Sequence, residues 1–213
     1  MSNRIYIYKG FERFWHWGQA LLVILLLYTG FEIHGTLGFI GYEQAVNLHN
    51  KLVWALLVLI SFAIFWHFTT GEWKQYIPTV KKLNHMIRYY LVGIFRNEPH
   101  PTRKTELSKL NPLQRITYLS LKILIFPVQI ISGFAYYYYN ELSEIGINIS
   151  LGAIAFVHTA AAFVMLVFLI GHVYLTTTGH TVFSNIKAMI TGWEDLEDEE
   201  KEPYIQEVKQ EIS

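Results

Sequence analysis

Four long apolar stretches divide the chain, and charged residues almost disappear from each of them. They cover residues 14–33, 48–68, 116–139 and 152–176. Each is about 20 residues or longer, which as a helix is enough to cross about 30 Å of hydrocarbon. A backbone surrounded by lipid has no water to bond, and a helix satisfies its own polar groups within one segment. The pattern therefore predicts an all-α membrane protein, a bundle of four transmembrane helices.

The composition agrees with this class. Hydrophobic residues make up 52% of the 213 residues and charged residues 16%, whereas soluble domains carry about 25% charged residues. A soluble helical protein would need more polar chain to cover four such runs. The net charge of zero gives no electrostatic support for nucleic-acid binding. The first run is followed by no small-residue cleavage site, so we interpret it as a retained helix rather than a signal peptide.

The distribution of Lys and Arg predicts the orientation. Both the N-terminal segment and the long connection between the second and third runs are rich in these residues, while the connections at 35–47 and 140–151 contain none. Since positive loops stay in the cytoplasm, we expect both termini and the long connection on the cytoplasmic side of a bacterial inner membrane. Apolar residues from Ile77 to Ile94 recur near helical spacing, which predicts a cytoplasmic amphipathic helix there. We expect one domain over 1–192, followed by an acidic cytoplasmic tail over 193–213.

Cysteine is absent, so the chain cannot hold an iron–sulfur cluster or a thioether-linked c-type haem. Histidine is the strong ligand that remains, with nine residues. An ionisable or ligating side chain inside a bilayer is costly, and each one is therefore a functional hypothesis.

Four histidines fall at two depths of the predicted helices. His16 lies at the cytoplasmic end of the first and His49 at the outer end of the second, while the fourth carries His158 near its outer end and His172 near its cytoplasmic end. The last two are fourteen residues apart, nearly a whole number of turns, which puts them on similar faces about 21 Å apart. Depth groups His16 with His172, here called the inner pair, and His49 with His158, the outer pair. This arrangement predicts axial ligands of two haems b, whose irons would have no free position and would only pass electrons.

Other residues leave alternatives open. The motif Thr29-Gly30-Phe31 recurs as Ser132-Gly133-Phe134, and its glycines would either admit a flat macrocycle or pack helices together. His67 is level with the inner pair and is a third ligand candidate, a quinone contact or an interfacial residue. Histidines can also bind zinc or relay protons in a transporter. The remaining histidines fall in loops or interfacial segments and are expected to be solvated: His34, His85, His100 and His180.

Several segments resemble the bacterial cytochrome b561 superfamily. They are FERFWHWGQALLVILLLYTG at 11–30, HNKLVW at 49–54, NPLQRITY at 111–118, and the two histidines spaced by fourteen at 158–172. Over roughly residues 5–192 the chain resembles, within this superfamily, the membrane b subunits of nickel–iron hydrogenases, formate dehydrogenases and thiosulfate reductases. The resemblance implies an electron-transfer subunit that exchanges electrons between the quinone pool and a periplasmic redox enzyme. That partner would be a hydrogenase, a molybdenum enzyme or a multihaem cytochrome.

Two further expectations concern the reaction. Some small cytochromes b561 act alone as superoxide:quinone oxidoreductases, and this is the alternative function. A quinone site is expected on the cytoplasmic side, where Asn111, His67 and Lys122 converge in depth, and the resemblance places Asn111 beside the quinone. Asn111-Pro112 is also a common helix start, and Lys122 could instead contact a haem propionate.

Overall fold

Four helical segments of the computed structural model are long and apolar enough to cross a membrane. They are Gly10–Ile33, Tyr42–Thr70, Pro112–Tyr137 and Leu151–Thr176. The structure describes residues 4–96, 98, 100–106, 108–179 and 181–195. The four segments overlap the four apolar runs, so the predicted set of transmembrane helices is confirmed. All four helices begin before their runs, and in the first three polar residues extend the helix beyond its apolar part.

The elements follow one another in a fixed order. They are β1 (Arg4–Tyr6), α1 (Gly10–Ile33), α2 (Tyr42–Thr70), a 3-10 turn (Glu72–Tyr76), α3 (Leu83–Leu91), a second 3-10 turn (Gly93–Arg96), α4 (Pro112–Ser120), a π-helical turn (Leu121–Ile125), α5 (Phe126–Tyr137), α6 (Tyr139–Glu144), α7 (Leu151–Thr176), α8 (Ser184–Thr191) and β2 (Trp193–Asp195).

The chain divides into two compact units. Among the described residues, the first contains 4–75, 183–195 and the short segment 105–109, and the second contains 76–104 and 110–182. In the first unit α1 packs against α2, and in the second α5 packs against α7. Each unit is thus an apolar helix pair with its own connecting segments.

The third transmembrane segment is not a uniform helix. Pro127 stands in the first turn of α5 and has no amide hydrogen to donate. The residues before it wind as the π-helical turn, in which the amide of Phe126 donates to the carbonyl of Leu121. Such turns insert an extra residue into a helix and often occur at functional sites. This one contains Lys122.

A small antiparallel sheet accompanies the predicted helices. Residues Arg4–Tyr6 pair with Trp193–Asp195, and Ile5 lies opposite Glu194. Gly192 turns the chain into β2 with a φ of 88°, and a Cβ at this position would lie 2.6 Å from the Tyr6 ring. The first three residues of the predicted acidic tail are therefore in a strand. The rest of that tail, from residue 196, and His180 lie outside the described residues.

The predicted amphipathic helix is present but shorter than the apolar spacing indicates. The helix α3 spans only Leu83–Leu91, and Lys82 before it has a left-handed φ of 60°. Met86 and Tyr89 are buried, while Leu91 is exposed. Lys82 and the two flanking 3-10 turns prevent a continuous helix from Ile77 to Ile94.

Candidate haem site

The outer histidine of the first unit is held between α1 and α2. Nδ1 of His49 lies 2.8 Å from the hydroxyl of Thr29. That hydroxyl is also 2.9 Å from the carbonyl oxygen of Leu25 in its own helix, and Thr29 is fully buried. A Cβ at the neighbouring Gly30 would meet no described heavy atom within 4 Å. The absence of a side chain at Gly30 therefore leaves an open face of α1 next to Thr29.

The outer histidine of the second unit has a matching environment. Nδ1 of His158 lies 3.1 Å from the hydroxyl of Ser132, which is 2.6 Å from the carbonyl oxygen of Val128. A Cβ on Gly133 would lie 3.1 Å from Cε1 of His158. Glycine at this position therefore lets the imidazole lie close to α5. The repeated motif thus serves the histidines in both units.

Gln129 adds a polar group that sequence reasoning missed. Its Nε2 lies 3.1 Å from Nε2 of His158, and its Oε1 is buried without a hydrogen-bond partner among the described residues. The same amide nitrogen lies 3.3 Å from Nδ1 of His158, the atom that faces Ser132. A glutamine inside an apolar run was the available signal, because buried polar groups in a membrane segment need a role.

The inner histidine of the first unit lies among aromatic rings. The His16 ring is 5.2 Å from that of Trp17, edge to face. His67 is buried within the protein, and its ring lies 5.6 Å from Trp15 and 5.2 Å from Trp66. Its Nδ1 donates to the Ala63 carbonyl at 2.6 Å. The indole rings of Trp15, Trp17 and Trp66 thus lie around His16 and His67.

The inner histidine of the second unit also packs on aromatic side chains. The His172 ring stacks on Phe168 with centroids 5.6 Å apart and planes 18° apart. The Tyr118 ring lies 6.4 Å away at a steep angle. Because α7 also carries His158, this one helix holds an imidazole near each of its ends.

Sequence reasoning also missed a cluster of four charged side chains near the start of α1. Lys109 Nζ lies 2.7 Å and 2.8 Å from the two Glu12 carboxylate oxygens and 3.0 Å from a Glu72 carboxylate oxygen. The other Glu72 oxygen accepts from Lys9 Nζ at 2.6 Å. Lys109 is 5% exposed. Burial would raise the pKa of Glu72, but hydrogen bonds from Lys9 and Lys109 outweigh it and lower that pKa below its usual value. The cluster fixes the start of α1, one turn before His16.

Asn111 starts α4 in the way the capping alternative predicts. Its Oδ1 accepts from the Gln114 amide at 2.9 Å, and Gln114 Oε1 accepts from the Asn111 amide at 3.0 Å. Pro112 occupies the first helical position, where its missing donor has no cost. Asn111 Nδ2 donates to the Tyr90 hydroxyl at 3.1 Å, and burial raises the pKa of Tyr90. A quinone contact of Asn111 stays a prediction.

Lys122 pairs with an aromatic face. Its Nζ lies 3.2 Å from the centroid of the Tyr76 ring, a cation–π geometry. Both residues belong to the second unit. The sequence predicts that a lysine at this depth either extends toward the interface or pairs, and the structure shows a pairing.

The donor set fits a haem. Among the described residues, no group of three or more His, Cys, Asp or Glu side chains gathers to hold a metal ion directly. A haem is held by its macrocycle together with one or two axial side chains, and imidazole is a common axial ligand. The open face at Gly30 is a further feature that a flat macrocycle would use.

Apolar helices that carry imidazoles at two depths are the architecture of a membrane b-type cytochrome. The sequence profile of the prokaryotic cytochrome b561 family matches residues 7–192, and the chain belongs to this family. It is thus a membrane b-type cytochrome that functions in electron transfer. YdhU of Escherichia coli (strain K12), a protein that carries the name of a cytochrome, is 29% identical to this chain over 197 residues. The matched region covers 90% of this chain and 75% of YdhU. No solved structure matches the chain.

Proposed function

We propose that this protein is a di-haem cytochrome b that transfers electrons across the membrane between the quinone pool and a periplasmic redox enzyme. The observation that carries the proposal is the placement of His158 and His172 on the single helix α7. Their fourteen-residue separation corresponds to about 21 Å along the axis. Two redox centres at these depths would carry an electron over much of the bilayer.

The proposed axial ligands are the inner pair, His16 and His172, and the outer pair, His49 and His158. A bound haem supplies one-electron chemistry, and two axial imidazoles leave its iron no position for substrate. The chain's own residues orient the rings through Thr29 and Ser132. Indole rings lie beside His16 and His67, and the Phe168 ring stacks on His172. Membrane topology, with four crossings, supports the pairing by depth.

The proposed quinone site lies on the side of the inner pair. A quinone needs an apolar slot with a few polar groups that bind its carbonyls and exchange protons. Asn111, His67 and Lys122 remain the candidates, and the Tyr90 hydroxyl bonded to Asn111 extends this group. Its phenolic proton would be available to a quinone carbonyl.

The partner and the orientation are proposed from the resemblance and the charge pattern. Both termini face the cytoplasm, and a hydrogenase, molybdenum enzyme or multihaem cytochrome docks on the outer face. The stand-alone superoxide:quinone oxidoreductase is the competing function. Purification from the native membrane under mild detergent tests this, because a co-purifying redox enzyme supports the subunit role. Superoxide-driven quinone reduction by the isolated chain would favour the alternative.

Haem quantification and ligand variants test the core of the proposal. We expect about two non-covalent haems b per chain, read by pyridine haemochrome after acid–acetone extraction. His16→Ala and His172→Ala should remove the same component in a redox titration, and His49→Ala and His158→Ala the other. A folded haem-free protein would refute the function. Loss of one shared component in His16→Ala and His158→Ala would refute the pairing.

The quinone site is tested with variants that separate capping from quinone contact. Asn111→Asp keeps the Oδ1 that caps α4 but loses the Nδ2 donor, whereas Asn111→Leu loses both. Stopped-flow mixing with a menaquinol analogue measures haem reduction, and dithionite reduction reports haem integrity. Slow quinol reduction in Asn111→Asp and His67→Leu, with normal dithionite reduction, supports the site. Normal quinol rates in both would place it elsewhere.

A further inference from the structure

The repeated Thr/Ser-Gly-Phe motif places one hydroxyl beside each histidine of the outer pair. Thr29 Oγ1 lies 2.8 Å from Nδ1 of His49, and Ser132 Oγ lies 3.1 Å from Nδ1 of His158. Each contact joins two helices of one unit, and both Thr29 and Ser132 are buried. The same arrangement therefore occurs independently in the two units.

The backbone fixes the direction of these hydrogen bonds. Thr29 Oγ1 is 2.9 Å from the Leu25 carbonyl oxygen, and Ser132 Oγ is 2.6 Å from the Val128 carbonyl oxygen. A carbonyl oxygen can only accept, so the single proton of each hydroxyl goes to the backbone. The hydroxyl then meets the imidazole with a lone pair. Each Nδ1 therefore carries the ring proton and donates it, which leaves Nε2 of His158 to accept from the Gln129 amide, 3.1 Å from Nε2 and 3.3 Å from Nδ1.

We propose that Thr29 and Ser132 are positioning residues that set the tautomer and the redox potential of the outer haem. Donation from Nδ1 leaves Nε2 of each ring as the iron ligand and makes the imidazole more basic. More basic axial ligands stabilise ferric iron, so the two hydroxyls lower the midpoint potential. This inference rests on the proposed ligation of the outer haem by His49 and His158.

The inner haem provides an internal reference. Thr29 is thirteen residues from His16 on the same helix, about 20 Å along the axis. Removal of the Thr29 hydroxyl should therefore change the outer haem and leave the inner haem unchanged. A general loosening of the fold would affect both.

The test uses Thr29→Val and Ser132→Ala in the full-length, haem-loaded protein. Spectroelectrochemical titration should show a higher midpoint potential for the outer haem in each variant. At a fixed potential its reduced-to-oxidised ratio should rise by up to about tenfold, which equals about 59 mV for one electron. The double variant should show the sum of the two shifts. The low-field g value of the oxidised outer haem should shift in the same variants, because it reports on axial imidazole basicity.

Three controls separate the hydrogen bond from packing. Thr29→Ser and Ser132→Thr keep a hydroxyl and should retain the parent potential. Ser61→Ala removes a hydroxyl that also bonds its own helix, 2.9 Å from the Leu57 carbonyl, on the same helix as His49, and should shift nothing. An unmoved outer potential in both Thr29→Val and Ser132→Ala, with two haems bound, would overturn the inference. An equal shift in Ser61→Ala would also overturn it.

Failure of the proposed ligation gives a different result. If the outer spectral component persists in His49→Ala and in His158→Ala, those histidines are not its ligands, whatever the hydroxyl variants show. If it disappears in both and the hydroxyl variants leave it unmoved, the ligation stands and the role of Thr29 and Ser132 is refuted.

Discussion

Replacement of Lys109 by Met tests whether the buried charged cluster stabilises the first unit. Lys109 Nζ has three carboxylate oxygens within 3.0 Å, two from Glu12 and one from Glu72. The side chains of Lys109, Glu72 and Glu12 are 5%, 9% and 12% exposed. Methionine keeps the length of the side chain but leaves the two carboxylates without this cation. Removal of one partner of a buried ion pair costs about 3–5 kcal/mol.

The structure favours the lower end of that range. Glu72 keeps the ammonium of Lys9 at 2.6 Å, and Glu12 keeps the backbone amide of Lys9, also at 2.6 Å. Each carboxylate thus retains one donor, and we expect a loss of about 3 kcal/mol in the free energy of unfolding. Denaturation in mixed micelles, followed by circular dichroism, measures this loss.

Two further variants decide whether the reasoning holds. Lys187→Met removes a bridge to Asp195 whose side chains are both about half exposed, and it should cost about 1 kcal/mol or less. Lys109→Met combined with Glu12→Gln and Glu72→Gln should recover part of the loss, because the buried negative charge is removed with its partner. If Lys109→Met costs no more than Lys187→Met, the cluster contributes no more than a surface pair and the argument is wrong.

Three other predictions follow from local geometry. The pKa of Glu72 is lowered in the folded protein, so the ionised side chain stabilises the fold. This contribution is fully present above the unfolded-state pKa of about 4.3 and is lost as pH falls through the folded-state pKa. Glu72→Gln should therefore flatten the acid side of a plot of unfolding free energy against pH. Asn111→Ala should cost about 1 kcal/mol of stability by denaturation while Asn111→Asp keeps the cap. Gly192→Ala should destabilise the protein by more than about 1 kcal/mol in the same assay, because φ at this position is 88° and the new Cβ would meet the Tyr6 ring. A variant of these three that has no effect would contradict the geometry from which its prediction was drawn.

The transmembrane helices could be predicted because lipid imposes a simple rule on the sequence. A crossing segment must be continuously apolar over about 20 residues, and the four runs follow this rule without reference to any other part of the chain. The depth of each histidine follows from its position in its run. The π-helical turn was less visible: Pro127 signals a disturbed helix, but the sequence does not show that the turn before it absorbs an extra residue around Lys122.

The elements that sequence reasoning missed depend on pairings between distant residues. Lys109 meets Glu12 across 97 positions, and Arg4 bonds Asp195 across 191. No periodicity or composition of the intervening chain predicts such partners. The motif around Thr29 and Ser132 was visible as a repeat, yet its glycines drew the interpretation toward helix packing or macrocycle approach. That each hydroxyl faces the Nδ1 of a histidine requires the packing of α1 on α2 and of α5 on α7.

Lys122 and Tyr76 provide a final prediction that separates a structural lysine from one that acts on quinone. The cation–π contact at 3.2 Å should give a coupling free energy of about 0.5–2 kcal/mol in a double-mutant cycle of Lys122→Met and Tyr76→Leu.

If Lys122 serves only this contact, both single variants should destabilise the protein similarly, because either one removes the same interaction, and both should leave quinol-driven haem reduction unchanged. If Lys122 also meets the quinone, Lys122→Met should slow that reduction far more than Tyr76→Leu, since the lysine survives in the second variant. Tyr76→Phe keeps the aromatic face and should behave as the parent in both assays. A coupling free energy near zero would show that the contact does not hold Lys122, and equal quinol rates in all variants would remove Lys122 from the proposed quinone site.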